Sequence, residues 1–501
     1  MRVAVIGAGV SGIAAGKTLK QLGHDVVLYE KGDGPGGVWT QAYPGVHLQN
    51  MRELYALSDY PWPFDSDDFP PAADVLRYVE SAVAHFGLDI RPRHDLAGMV
   101  ELAGGGWRLD FATPGGTETA DTDFVVVAIG HYTHQKVEID LPGRERFGGR
   151  IVTEHDIGRP DLLDGRRVAV VGLGKSAVDV ASFAVGRAKE IHHIFREARW
   201  LMPRRMLGQY VSRMATERLS TAFARSWVYP HRFQQLTHRH NPSAARINDA
   251  MVSYMIRRQL GLRGGPRDKA ARARLSTLDP AYGMTGQFRG TLAPENYFPA
   301  VAKGDIVPHR ATLAGLNEAG VVLSDGSTVA IDTLVLSLGY QRPTMPFLPE
   351  PLRREFSESP DGVQLYRHIV HPRVRRLGFA GFNHNPLHIL SAELAALWID
   401  AVECGDLALP SAEEMEAHTA RIAEWKRSNI ISEGGTRAYW VGAHMHNYID
   451  VVMMELGLRH RRKANPLSEW LGHYTAADFA GMVEEYKAKR GTKRAALPFD
   501  T

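Results

Sequence analysis

The 501 residues predict an α/β protein of two dinucleotide-binding sheets, a helical insertion and a helical C-terminal region. Three observations predict it: a strand–glycine turn–helix pattern that occurs twice, a second run of strand residues after each copy, and a central stretch with helical patterning and few strand signals. A guide of roughly 150 residues per domain gives about three domains. Hydrophobic residues make up 44% and charged residues 23%, which excludes disorder, collagen and a coiled coil for the whole chain. The single cysteine, Cys404, excludes an internal disulfide, a CxxC redox pair and a cysteine-rich zinc site.

The first copy is Val3-Ala4-Val5-Ile6-Gly7-Ala8-Gly9-Val10-Ser11-Gly12, a buried strand, a glycine turn and a helix start. A second β-rich run, His24–Glu30, follows. In a Rossmann-like unit Gly7 permits the tight turn, Gly9 lets the backbone approach a pyrophosphate, and Gly12 lets helix and strand pack closely. The free N–H groups of the helix start bind phosphate, and Glu30 would accept hydrogen bonds from ribose hydroxyls.

The second copy is Val168-Ala169-Val170-Val171-Gly172-Leu173-Gly174-Lys175-Ser176-Ala177, followed by the β-rich run Glu190–Arg196. Where Glu30 would recur stand Phe195 and Arg196, with Arg199 beyond. A carboxylate there repels a 2′-phosphate and a guanidinium binds it, so this site is expected to prefer NADPH over NADH.

A third signal, Thr333–Tyr340, is a buried strand ending in Gly339 and mirrors Phe124–Gly130. It is read as the return of the chain to the first domain. The resulting division is the first part of one dinucleotide-binding domain at 1–155, an NADPH-binding domain at 156–332 with a helical insert at about 204–285, a return to the first domain at 333–404, and a helical region at 405–501. Ser411-Ala412-Glu413-Glu414 fits a capping box at a helix start.

Charge is uneven along the chain. From Arg204 to Arg274 there are fifteen Lys/Arg against three acids, although the net charge is only +3. The insert is expected to cover the active site and attract an anionic substrate or partner, or to form a solvated surface or subunit interface; a homodimer is left open. No nucleic-acid partner is expected. There is no leader-like apolar segment and no stretch of 18 uncharged apolar residues, so a cytoplasmic protein without a membrane span is expected. Arg outnumbers Lys 46 to 13, the bias of a GC-rich bacterial gene. The histidine spacings make no metal site.

Glu30 is followed by Gly36-Gly37-Val38-Trp39. With this run, both glycine fingerprints, Asp179, Arg196 trailed by Trp200, and Leu338-Gly339-Tyr340, most of the chain resembles the flavin-containing monooxygenases, relatives of the Baeyer–Villiger monooxygenases. The resemblance implies FAD and NADPH as cofactors. It implies cofactor contacts at Gly7, Gly9, Val10, Ser11, Gly12, Glu30, Lys31, Gly37, Val38, Trp39, Asn50, Gly130, Gly172, Gly174, Lys175, Ser176, Arg196, Trp200, Gly339, Tyr340 and His388. The linker Phe147–Ile157 keeps Phe147 and Gly149 of the family's FxGxxxHxxxY/F fingerprint but has Thr153 for its histidine and Ile157 for its aromatic residue. His155-Asp156 resembles a family pair, and His155 is read as a hinge residue.

Gln49-Asn50 resembles the family's active-site asparagine segment, which places Asn50 beside the flavin as the catalytic amide. Asn383–His388 precedes a helix at Ser391–Val402 whose N-terminus would face the flavin; Glu393 and Trp398 resemble a family glutamate and tryptophan there. The activity implied is insertion of one oxygen atom from O2, by way of a C4a-hydroperoxyflavin, into an amine nitrogen, thioether sulfur or electron-rich aromatic carbon of a small molecule. A Baeyer–Villiger monooxygenase acting on ketones and an NADPH oxidase-like flavoprotein releasing peroxide are the alternatives.

Overall fold

Val3 and Val5 face one way and Ala4 and Ile6 the other, yet all four are buried. A strand buried on both faces reads as an unbroken apolar run and belongs in a parallel sheet covered on both sides. The computed structural model, which describes residues 1–131, 135–241, 243–284, 290–350, 352–430 and 437–498, has two such sheets. The first is ordered Leu377–Phe379, Phe124–Val127, Arg2–Ile6, Asp25–Tyr29, Asp89–Arg91, all parallel. The second is ordered Val307–Arg310, Glu190–Phe195, Arg167–Val171, Thr333–Leu336, Arg150–Val152, again all parallel.

The two sheets are covered alike. On one face of the first, Val3 and Val5 pack with Ile13 and Ala14 of the helix Val10–Gln21. On the other, Ala4 and Ile6 pack with Trp107, Leu109 and Phe111 of an antiparallel meander formed by Asp95–Glu101, Trp107–Thr113 and Gly116–Thr122. The second sheet has the helix Lys175–Ala184 on the Val168 and Val170 face. A meander of Leu313–Asn317, Gly320–Leu323 and Thr328–Ala330 covers its Ala169 and Val171 face.

One expectation is corrected. Thr333–Leu336 does not return to the first sheet: it pairs with Val168–Val171 and with Arg150–Val152 in the second. It takes the place beside the glycine-motif strand that Phe124–Val127 takes in the first sheet, which is why the two segments look alike. The strand that returns is Leu377–Phe379, paired with Val125–Val127. It leads into the helix His388–Glu403, buried without a break from Ile389 to Ala401. This helix lies in one core with Ile13, Ala14 and Leu19.

The insert carries the helices Arg232–His240, Ala244–Gln259 and Lys269–Ser276, and a hairpin of Arg205–Met206 with Gln209–Tyr210. Not all of its charge faces water. Arg218 is buried against Asp450 and Glu469, and Arg257 pairs with Asp279. After it come the helices Ala412–Asn429, started by the Ser411–Glu414 capping box, and Met445–Glu455. Among the described residues no helix is long and apolar enough to cross a membrane, and no group of three or more His, Cys, Asp or Glu could hold a metal ion.

Candidate functional site

The first cradle is shaped by what its glycines lack. Gly7 has φ +103°, and a Cβ there would lie 2.8 Å from the Ala128 carbonyl oxygen. A Cβ on Gly12 would lie 1.9 Å from the Gly7 carbonyl oxygen, so helix and turn meet only with glycine. The helix Val10–Gln21 starts at Gly9 without a side-chain cap and without an acid in its first turn. Its leading N–H groups are therefore available to an anion. A dinucleotide pyrophosphate fits these donors and this cleared backbone.

The other residues of the cradle surround that turn. Glu30, 8% exposed, accepts the backbone N–H groups of Ala8 and Gly32, each at 2.8 Å, and so clamps the glycine loop. Each oxygen keeps a second lone pair for a ribose hydroxyl. Lys31 and Val38 are exposed. Gly37 (φ +58°) packs on Gly9, and Trp39 donates its indole N–H to the Tyr55 hydroxyl at 2.7 Å. Space for a Cβ on Gly381 is filled by the Ser11 hydroxyl, while Gly130 (φ +74°) faces open space.

The helix His388–Glu403, packed on Val10–Gln21 in the same core, also has no side-chain cap and no acid in its first turn. Asn50 is fastened to the approach: its Nδ2 donates to the Pro386 carbonyl at 2.5 Å, and its Oδ1 accepts the Met51 N–H at 3.2 Å. The His388 ring is 5.1 Å from that of Tyr55, and burial lowers its pKa to about 4, leaving a neutral imidazole. Farther along, Glu393 is wholly buried and pairs with Lys17 of the first helix at 2.5 Å; Lys17 also pairs with Asp59 at 2.5 Å. Burial raises the Glu393 pKa, against the Lys17 charge. Trp398 donates to Glu455 at 2.9 Å in the core.

The second cradle repeats the first with other side chains. Gly172 has φ +120°, and a Cβ there would lie 2.4 Å from the Ser337 carbonyl oxygen; Gly174 faces open space. The helix Lys175–Ala184 has no side-chain cap and no acid in its first turn, which also brings Ser176 to the anion-binding end. Lys175 pairs with Asp179 at 2.5 Å. Burial lowers the Lys175 pKa, and Arg204 acts in the same direction against Asp179.

Arg196 is exposed one residue past the strand Glu190–Phe195 and has no ion pair among the described residues. Arg199 is close enough that Arg196 adds to the lowering of its pKa by burial. A nucleotide phosphate fits this positive strand end. Trp200, by contrast, is 1% exposed. It packs with Met202, Met206 and Ile256 and donates to the Tyr282 carbonyl at 2.9 Å, so it stands inside a small core rather than on an open cofactor wall.

Between the cradles the structure joins residues the sequence singles out, Asp179, His155 and Tyr340, to three it does not, Tyr43, Lys136 and Glu154. Tyr43, on a loop of the first domain, donates its hydroxyl to Asp179 of the second at 2.7 Å. His155 Nε2 lies 3.1 Å from the Tyr340 hydroxyl, and Lys136 Nζ stands 3.6 Å over the Tyr340 ring while pairing with buried Glu154. Gly339 (φ +84°) turns the chain there. Thr153, at the fingerprint-histidine position, donates its N–H and hydroxyl to Asp156, and Ile157 is fully buried. His193 was also missed. Its Nε2 lies 2.7 Å from the Gly172 carbonyl and its Nδ1 2.8 Å from the Tyr297 hydroxyl. A buried histidine beside a glycine motif is the signal that would have found it.

Two cradles of this kind, the first packed against an uncapped core helix, are the architecture of a flavoprotein oxidoreductase. The chain belongs to the flavin-binding monooxygenase-like family, whose model matches residues 1–263 and so spans both cradles. It is 28% identical to a probable flavin-containing monooxygenase 1 of Arabidopsis thaliana, over 97% of each chain. Its fold is similar to that of the S-allyl-L-cysteine S-oxygenase of Allium sativum, with a TM-score of 0.62 at 20% identity over 97% of this chain and 98% of that one. It is also similar to an oxidized steroid monooxygenase bound to NADP, with a TM-score of 0.66 at 19% identity over 92% and 99%.

Proposed function

We propose that this chain is an NADPH- and O2-dependent FAD monooxygenase that places one oxygen atom on a soft nucleophile of a small molecule. The observation that carries the reading is the pair of uncapped glycine cradles, one followed by Glu30 and the other by Arg196. A carboxylate suits the ribose of FAD; an exposed guanidinium suits the 2′-phosphate of NADPH. FAD held in the first cradle would supply hydride acceptance and reaction with O2.

The chain's own residues supply the rest. Glu30 holds the glycine loop in shape. The leading N–H groups of Val10–Gln21 would hold the FAD pyrophosphate, and those of His388–Glu403 would lend it positive potential. Tyr43 and Asp179 fasten the second cradle against the first. Asn50, fixed by Pro386, offers a neutral amide N–H where a carboxylate would repel developing negative charge. His388, neutral well above pH 4, adds no competing proton.

The test is NADPH consumption by purified FAD-loaded protein presented with sulfides, amines, electron-rich aromatics and ketones. The reading expects oxygenated product in step with NADPH for a nucleophilic class. Ester or lactone from ketones alone would make it a Baeyer–Villiger enzyme. Hydrogen peroxide equal to the NADPH consumed, with every class, would make it an oxidase.

A further inference from the structure

A cavity of about 240 Å³ lies between the basic insert and the C-terminal helices. Trp425, Trp440 and His444 form an aromatic wall. His444 meets Trp440 edge-on at 4.7 Å and Trp425 edge-on at 5.2 Å, while the two indoles lie at 21° to each other. Such a wall takes a flat ring, edge or face.

His444 is 3% exposed, and neither of its ring nitrogens has a hydrogen-bond partner among the described residues. Buried polar atoms are nearly always paired, so a cavity-lining imidazole with both nitrogens unpaired points to a ligand. Burial holds its pKa well below the ordinary histidine value, with Lys426 and then His238 acting in the same direction. A neutral imidazole offers one N–H and one acceptor.

The rim is cationic. Arg225 donates to the Asn429 side-chain oxygen at 3.3 Å and Arg246 to the Ser243 hydroxyl at 3.1 Å; both are exposed and neither forms an ion pair among the described residues. Among the described residues of the rim Asp249 is the carboxylate, so two guanidinium groups stand there with one acid. The wall is also tied to the proposed flavin site. His384 donates its backbone N–H to the Tyr439 carbonyl at 2.6 Å and accepts that of Gly442 at 2.9 Å. Two residues after His384 stands Pro386, which holds Asn50.

We infer that this cavity binds a flat aromatic or heteroaromatic carboxylic acid, its ring against Trp425, Trp440 and His444 and its carboxylate at Arg225 and Arg246. That the bound acid is the oxygen acceptor rests on the monooxygenase reading; that it binds does not.

The experiment is isothermal titration of the FAD-loaded protein, without NADPH, using indole-3-acetate and phenylacetate against indole-3-ethanol and phenethylamine. The acids are expected to bind at least about tenfold tighter than the alcohol or the amine, as a charge-assisted contact requires. Arg225→Gln with Arg246→Gln, both exposed positions, should remove about tenfold of that preference and leave the alcohol unchanged. His444→Phe should weaken acid and alcohol alike. Equal binding of acid and alcohol, or a preference that survives the double arginine variant, overturns the inference. Acids that bind as expected, with NADPH-linked oxygenation of no compound at all, would sustain the binding site and remove the monooxygenase reading. Oxygenation of amines or sulfides with no binding of either acid would overturn the inference alone.

Discussion

Asn50 and Pro386, 336 positions apart, are joined by a 2.5 Å hydrogen bond from the side-chain amide to the backbone carbonyl. The contact spends one amide N–H on fixing the side chain and leaves the other to act. It also links the loop before Met51 to the segment that starts the buried helix His388–Glu403. Asn50 therefore fastens its loop to the Pro386 segment and keeps one amide N–H for another acceptor.

Asn50→Ala is expected to retain FAD and to be reduced by NADPH at close to the parent rate, because those steps rest on the two glycine cradles. The loss should fall on coupling, with more of the NADPH emerging as hydrogen peroxide. One such hydrogen bond in a dry site is worth about 1.5–3 kcal/mol, or roughly ten- to a hundredfold. Asn50→Asp should be worse than Ala, since a carboxylate repels both the Pro386 carbonyl and developing negative charge. Peroxide and product quantified side by side decide it; parent coupling in both variants would reduce Asn50 to a loop fastener.

Both cradles could be read from the sequence because their determinants are local: a strand, a turn that needs glycine and a helix start within ten residues. The sheet that Thr333–Leu336 joins could not. Its pattern matches Phe124–Val127 because each is the strand beside a glycine-motif strand, and local pattern identifies the kind of strand, not the sheet. The true return strand, Leu377–Phe379, has three residues, and a Cβ on its Gly378 would lie 2.5 Å from the Ile399 side chain. That constraint comes from Ile399, 21 residues further along the chain. The pairings Tyr43–Asp179 and Lys17–Glu393 escaped for the same reason: Asp179 and Glu393 carry a resemblance, but Tyr43 and Lys17 are ordinary until the fold brings each to its partner. Trp200 shows the converse, a residue matched by pattern that the fold buries in a side core.

Arg196 is the first guanidinium past the second nucleotide strand and has no acid to neutralise it among the described residues. Arg196→Ala should raise the NADPH KM by roughly ten- to a hundredfold, the worth of one guanidinium–phosphate contact. The NADH KM should hardly move. Steady-state kinetics with both nucleotides measures the gap; an unchanged gap would pass the assignment to Arg199 or Arg204.

Lys17 and Glu393 are both fully buried, so removing one leaves the other's charge without its partner. Lys17→Met is expected to cost on the order of 3–5 kcal/mol of stability. Adding Glu393→Gln should recover part of that, because the amide still accepts from Ser58 and carries no charge. Asp59, 27% exposed at its side chain, can turn to water. Urea unfolding of the two variants tests the coupling; equal losses would mean that Lys17 acts by packing alone.

His193 ties the Gly172 turn to Tyr297, and its burial makes that tie sensitive to acid. The Gly172 carbonyl can only accept, so Nε2 carries the proton and Nδ1 accepts from the Tyr297 hydroxyl. Burial lowers the folded-state pKa to about 4, against an ordinary histidine value of 6.5. Above pH 6.5 folded and unfolded chains are both neutral at this site, and stability does not depend on it. Between 6.5 and 4 the unfolded chain binds the proton and the folded one does not, so stability falls as pH falls, by up to about 1.4 kcal/mol per pH unit for one group. His388, also lowered to about 4, and His418 and His446, each lowered to about 3, act with the same sign. His193→Gln keeps a donor for Gly172 and an acceptor for Tyr297 but cannot titrate. Its unfolding free energy, measured in urea at pH 7, 6 and 5, should therefore fall less steeply than the parent's, by up to one proton's worth of slope. Identical slopes would mean that His193 gains its proton without leaving the fold, and the acid sensitivity would have to be sought at His388, His418 and His446.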